Sequence, residues 1–246
     1  FSFSVLARSP YPEDQAKLIE NDVTATYFTG QNDTSNVDVT SNKSQVTIGD
    51  DPTADNAGVA IGPFNYPMAN NDGDKTLAAS THPQMTKDLT ILDGKGANYD
   101  TTSAGACNAG EVIVFPLTVL NPNKLLPDTA PTPNERGIGG PATSPDTYNI
   151  TVAGTDTTNF SWILYKADGI TPLADTNGDG KPDTGLIAPD GTANIVVKVF
   201  IKASAELAGG TTFTVTAQST KETPGKTNAT KLLITEVKPA GVDIAT

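Results

Sequence analysis

The chain has 246 residues and a formal net charge of -12, from 16 basic and 28 acidic side chains. Thr, Gly, Pro and Asn fill 94 positions and Asp outnumbers Glu 21 to 7, a composition that starves helices and suits strands and turns. One His, one Cys and one Trp exclude a multi-histidine metal centre, a two-cysteine redox motif and an intrachain disulfide framework. The acidic balance leaves no basic stripe for a nucleic acid.

The opening FSFSVLAR alternates as a strand, with Phe1, Phe3 and Val5 on one face, and stops at Pro10 and Pro12. AKLIENDVTATYF, residues 16–28, reads as a second strand with an irregularity around Glu20 to Asp22. VDVTSNKSQVTI makes a third strand, ending at Ile48. Residues 49–110 are turn-rich and polar, with extended pieces at residues 59–61 and 89–92 and no amphipathic helix.

From residue 110 the pattern sharpens. EVIVFPLTVLN is a strand whose Pro116 suggests an edge or a bulge. After a proline-rich loop come TYNITVAG, FSWILYKA, ANIVVKVFIKA, TTFTVTAQST and TKLLITEV. Short strands at this spacing, separated by Gly, Asp, Pro or Asn turns, predict an all-β sandwich with Trp162 at the centre of its core. The expected division is a loop-rich β region over residues 1–106, carrying a donor strand at 1–8, and a sandwich over 107–246. No stretch is apolar for long enough to cross a bilayer as a helix. The start at Phe1 rather than Met fits removal of a signal segment.

YKADGITPLADTNGDGKPDTG, preceded by EVIVFPLTVLNPN and followed by APDGTANIVVKVFI, resembles the immunoglobulin-like repeat domains of secreted and surface-anchored prokaryotic proteins, the DUF11-like or conserved-repeat type. NDVTATYF with TSNKSQVTI resembles the strand pair that often precedes them. The resemblance implies an immunoglobulin-like β-sandwich and a structural or adhesive role at the cell exterior, without catalysis.

Within that stretch Asp175, Asn177, Asp179, Lys181 and Asp183 stand at positions 1, 3, 5, 7 and 9 of a loop with Gly180 at position 6. This is EF-hand spacing: alternate residues turn oxygens inward, the glycine permits the tight turn, and position 7 offers a backbone carbonyl. Calcium is therefore the expected cofactor, although Leu186 stands where a bidentate Glu would close the shell. A solvated turn built on Asp and Asn side chains is the competing reading. Asp50, Asp51 and Asp55, and Asp72 with Asp74, read as solvated turns. Sequons at Asn32, Asn42, Asn149, Asn159 and Asn228 are candidate glycosylation sites.

His82 has no nucleophile-bearing motif around it, and neither a P-loop nor a Rossmann glycine pattern is present, so no enzyme activity is expected. Cys107 reads as an inert thiol. Two roles remain open. One is an extracellular subunit that self-associates into a filament, such as a pilus, or a surface layer, with a strand donated from one copy to the next. The other is a monomeric adhesin or spacer, binding carbohydrate on a platform drawn from Tyr11, Phe64, Tyr66 and Tyr99.

Overall fold

The computed structural model describes residues 17–21, 24–28, 36–40, 44–48, 56–68, 74–92, 101–124, 137–221 and 224–240. Two compact units divide the chain, Phe1–Ala54 and Asp55–Thr246. In the first, β1 (Lys17–Asn21) pairs antiparallel with β4 (Ser44–Ile48), and β2 (Thr24–Phe28) with β3 (Asn36–Thr40). Two residues separate β1 from β2 but three separate β3 from β4, so the two ladders are offset by one residue. The irregularity expected at residues 20–22 falls beside that step. Phe1, Phe3 and Val5 lie outside the described residues.

The second unit opens with β5 (Gly58–Pro63), β6 (Lys75–Leu77), a single 3-10 turn (Ala79–Thr81), β7 (Leu89–Leu92), β8 (Thr101–Ser103) and β9 (Ala106–Asn108). It continues through β10 (Val112–Leu120), β11 (Ile138–Gly139), β12 (Asp146–Gly154) and β13 (Phe160–Lys166). The last five are β14 (Asp183–Ile187), β15 (Thr192–Ile201), β16 (Thr211–Ser219), β17 (Thr227–Ile234) and β18 (Glu236–Lys238). One sheet runs β11-β5-β10-β15-β13 and the other β14-β12-β16-β17-β8-β7-β6. Alternating residues of the two sheets, among them Ile113, Phe115, Leu117, Ile195 and Val197 from one and Ile150, Phe213, Val215 and Leu232 from the other, share one buried core. The fold is thus the all-β sandwich expected.

The boundary between the halves moves. Residues 58–103 supply strands to both sheets, so the sandwich begins near Asp55 rather than at residue 107. Pro116 is not at an edge either, because β10 lies between β5 and β15. Its carbonyl accepts the Phe64 N–H just past the end of β5, so the missing proline N–H falls where that neighbour turns away and no ladder bond is lost. Trp162 flanks the core; its fully buried aromatics are Phe115, Tyr148 and Phe213.

Two side chains of the seven-stranded sheet hold the backbone of β5 in the opposite sheet. The Tyr148 hydroxyl, fully buried, donates to the Gly58 carbonyl at 2.8 Å, and Asn228 Oδ1 accepts the Ile61 N–H at 2.9 Å. Asn228 satisfies an N–H on the side of β5 where only the two-residue β11 pairs, and Tyr148 satisfies a carbonyl just beyond the end of the β5–β10 ladder. Thr102 is the opposite case. Lying between Ile91 and Leu232 in the ladder, it is 0% exposed and its hydroxyl has no partner. Thr102→Val keeps the shape and removes an unpaired buried hydroxyl, so it is expected to raise unfolding free energy by about 1 kcal/mol or more. Urea denaturation reads this directly, and a loss of stability would show that the hydroxyl is satisfied.

Candidate functional site

The segment joining β13 to β14 holds the acidic loop singled out in the sequence. It leaves β13 through a tight turn organised by Asp168, whose Oδ1 accepts the Ile170 and Thr171 N–H groups and whose Oδ2 accepts the Thr171 hydroxyl. Those bonds, the hydroxyl's first, pull its carboxyl down to about 2. The returning chain pairs briefly with the end of β13, Lys166 N–H donating to Thr171 O and Leu173 N–H to Leu164 O.

The acidic loop then closes on itself, the Asp183 N–H donating to Ala174 O at 2.8 Å. Asp183 is buried. Its carboxylate accepts four hydrogen bonds, from the Thr176 N–H and hydroxyl, the Asn177 N–H and the Gly185 N–H. Burial alone would push this carboxyl up, yet the donors outweigh it and hold the group below the usual Asp value. Asp175 accepts from the N–H groups of Gly178, Asp179 and Gly180. Asn177 Oδ1 accepts the Asp179 N–H, and Asp179 Oδ1 accepts the Lys181 N–H.

Asn149, read from sequence as a sequon, anchors this lattice to β12. It is 5% exposed, donates from Nδ2 to Asp179 Oδ2, and accepts from Asn177 Nδ2 at 3.3 Å. It alternates with the core residues Tyr148 and Ile150, so it faces away from the core and owes its burial to the loop that covers it, which the local sequence does not signal. The structure thus brings together Asp175, Asn177, Asp179 and Asp183 as expected, but through the loop's own backbone donors. Lys181 contributes its N–H to Asp179 rather than a carbonyl to a shell. Among the described residues no group of three His, Cys, Asp or Glu is placed to hold a metal ion, and the carboxylate oxygens of Asp175 and Asp183 are taken up by backbone N–H donors of the loop and of Gly185.

Of the other sequons, Asn159 donates from Nδ2 to Asp156 and Asn228 serves β5 through Oδ1; Asn32 and Asn42 lie outside the described residues. So do Asp50, Asp51, Asp55, Asp72, Tyr11 and Tyr99. Phe64 and Tyr66 pack against the core, and Lys75 Nζ sits 4.5 Å from the Tyr66 ring centre. His82 is buried. Its Nδ1 accepts the Gln84 N–H, which leaves Nε2 as the donor to Ala167 O at 2.8 Å. Neither ring nitrogen is bonded to a nucleophile. The Cys107 thiol is buried too. Burial pushes its pKa up, against the pull of Lys87, whose Nζ lies 3.7 Å from Sγ, so it is a poor thiolate at neutral pH.

No family model and no curated protein matches the sequence. Among solved structures, the chain is similar to a family 123 glycoside hydrolase from Clostridium perfringens described in the hydrolysis of glycolipid glycans. The identity is 10% and the TM-score 0.37, over 68% of this chain and 27% of that one. It is also similar to AvmM, described as catalysing macrocyclization in alchivemycin A biosynthesis, at 11% identity and TM-score 0.28 over 56% of this chain and 86% of that one. This chain therefore spans about a quarter of the hydrolase's length. At these TM-scores neither likeness carries an argument about this chain's chemistry.

Proposed function

We propose that the chain is a non-catalytic extracellular structural subunit that self-associates into a filament or surface layer by adding a strand to its first unit. The observation that supports this is a contrast between the units. Among the described residues of Phe1–Ala54, strands pair only two by two. A two-stranded ladder is marginal in water and gains from a third strand.

The sandwich offers poorer attachment points. β6 has three residues and β11 two. The ladder of β14 with β12 shifts register between Thr147 and Asn149, and the end of β13 is covered by residues 171–173. Short, irregular and covered edges resist sheet-to-sheet addition, so growth is assigned to the first unit. A donated strand supplies main-chain hydrogen bonds for affinity and alternating side chains for register. Residues 1–8 are the proposed donor on the strength of their alternation. Calcium has no part in the proposal.

The test removes residues 1–8 and compares the truncated and parent proteins by sedimentation velocity and negative-stain imaging. The parent is expected to form polymers and the truncated chain to sediment as a monomer with unchanged circular dichroism. A monomeric parent at high concentration, or polymers that survive the truncation, would overturn the reading.

A further inference from the structure

Asn177–Gly178 and Asp179–Gly180 are exposed and belong to the class of dipeptides most prone to rearrange. In each, the glycine nitrogen can attack the preceding side-chain carbonyl carbon, and no Cβ on the glycine obstructs it. At Asn177 the Gly178 nitrogen bonds to Cγ, the Cγ–Nδ2 bond breaks, and ammonia leaves with the proton released from that nitrogen. Water then opens the five-membered imide at either carbonyl, giving aspartate or isoaspartate.

A single carboxylate stands against both attacks. Asp175 Oδ1 accepts the Gly178 N–H at 2.6 Å and Oδ2 accepts the Gly180 N–H at 2.8 Å. A nitrogen whose hydrogen is bonded to an anion is harder to deprotonate and is held in place by a strong bond. The electrophile is restrained as well. Asn177 Oδ1 is bonded to the Asp179 N–H at 3.0 Å and Nδ2 to buried Asn149. Both glycines have positive φ, 81° at Gly178 and 87° at Gly180, a backbone geometry that keeps the loop in the form Asp175 recognises.

We propose that Asn177–Gly178 is a latent self-modification site that Asp175 keeps closed, and that it converts to aspartate or isoaspartate when the loop's hydrogen-bond lattice opens. The product changes the loop for good. Aspartate adds a carboxylate beside Asp175, Asp179 and Asp183, while isoaspartate lengthens the backbone by one methylene and breaks the register of the Asp175 bonds. The loop then carries a covalent record of its own opening.

The native protein and the same protein in denaturant are held in mildly alkaline buffer. Conversion at Asn177 is followed by peptide mass mapping and by enzymatic methylation of isoaspartate. The native rate is expected to be slower by roughly tenfold or more, since reaction must wait for an opening that breaks charge-assisted hydrogen bonds. Asp175→Ala under native conditions is expected to approach the denatured rate. Equal rates for native and denatured parent would overturn the proposal, whether or not the variant folds. So would an Asp175→Ala variant that folds as the parent does and reacts no faster.

Discussion

Replacing Phe213 with alanine is expected to lower the unfolding free energy by about 3–5 kcal/mol, the range for truncating a fully buried phenylalanine. Phe213 projects from β16 across the core to β13, meeting Phe160 at 5.5 Å and Trp162 at 5.6 Å between ring centres, both edge to face. The truncation therefore removes buried area and two favourable ring contacts at once. Relaxation cannot easily refill the space, because both rings belong to β13 in the opposite sheet, which its ladder with β15 holds in place. The same cluster explains Gly154. A Cβ there would lie 2.8 Å from Phe213 Cδ1 and from Trp162 Cζ3, so the rings occupy the room a side chain would need. Guanidinium denaturation followed by far-ultraviolet circular dichroism measures the loss. A midpoint shift with unchanged slope confirms a stability effect, and a change below about 1 kcal/mol would show that the cluster collapses around the gap.

Asp183 carries the second large effect. Asp183→Ala strips the Thr176, Asn177 and Gly185 N–H groups of their acceptor. Each donor left unsatisfied costs about 1–3 kcal/mol if it stays buried, less where water reaches the loop. The pH dependence follows from its depressed carboxyl. A group more acidic folded than unfolded contributes stability that is present above its unfolded value, and that stability fades as pH falls through the folded value. The parent should therefore lose part of its stability on acidification below the ordinary carboxylate range, and Asp183→Asn should flatten that part of the profile. Urea midpoints collected from neutral to acid pH for both proteins decide the matter. Parallel profiles would mean that Asp183 does not couple folding to protonation.

The long strands of the second unit were legible because their alternation is plain, as in TTFTVTAQS, whose inward positions 213, 215 and 217 are all buried. β8 and β9 have three residues each, too few for any period to register, and only partners distant in sequence define them. β14 was hidden for another reason: Asp183 and Gly185 look like turn residues. There the carboxylate caps the loop while Gly185, at φ 67°, sits within the strand. Pro116 misled because proline's cost depends on which neighbour its nitrogen faces, and that is a property of the sheet. In the acidic loop, the D-x-N-x-D spacing picks out side chains whose oxygens accept the loop's own N–H groups. What they turn toward is the loop's own backbone and hydroxyl donors, close in sequence, together with Asn149, which lies a strand away and has no local signature.

The closing of the seven-stranded sheet also has a temporal side. β8 runs parallel to β17, with Thr102 opposite Leu232, and β9 runs parallel to β18, with Cys107 opposite Val237. These partners lie about 130 residues apart, so β8-β7-β6 joins the rest of its sheet, and β9 forms its separate pair with β18, only after nearly the whole unit has left the ribosome. Contacts of such long range are slow to form, because the closure entropy comes before any contact energy. Until β17 arrives, β6, β7 and β8 can form no more than a three-stranded fragment. This sheet should thus stay open through most of the unit's synthesis, with the β8 edge exposed until the last long strand is made.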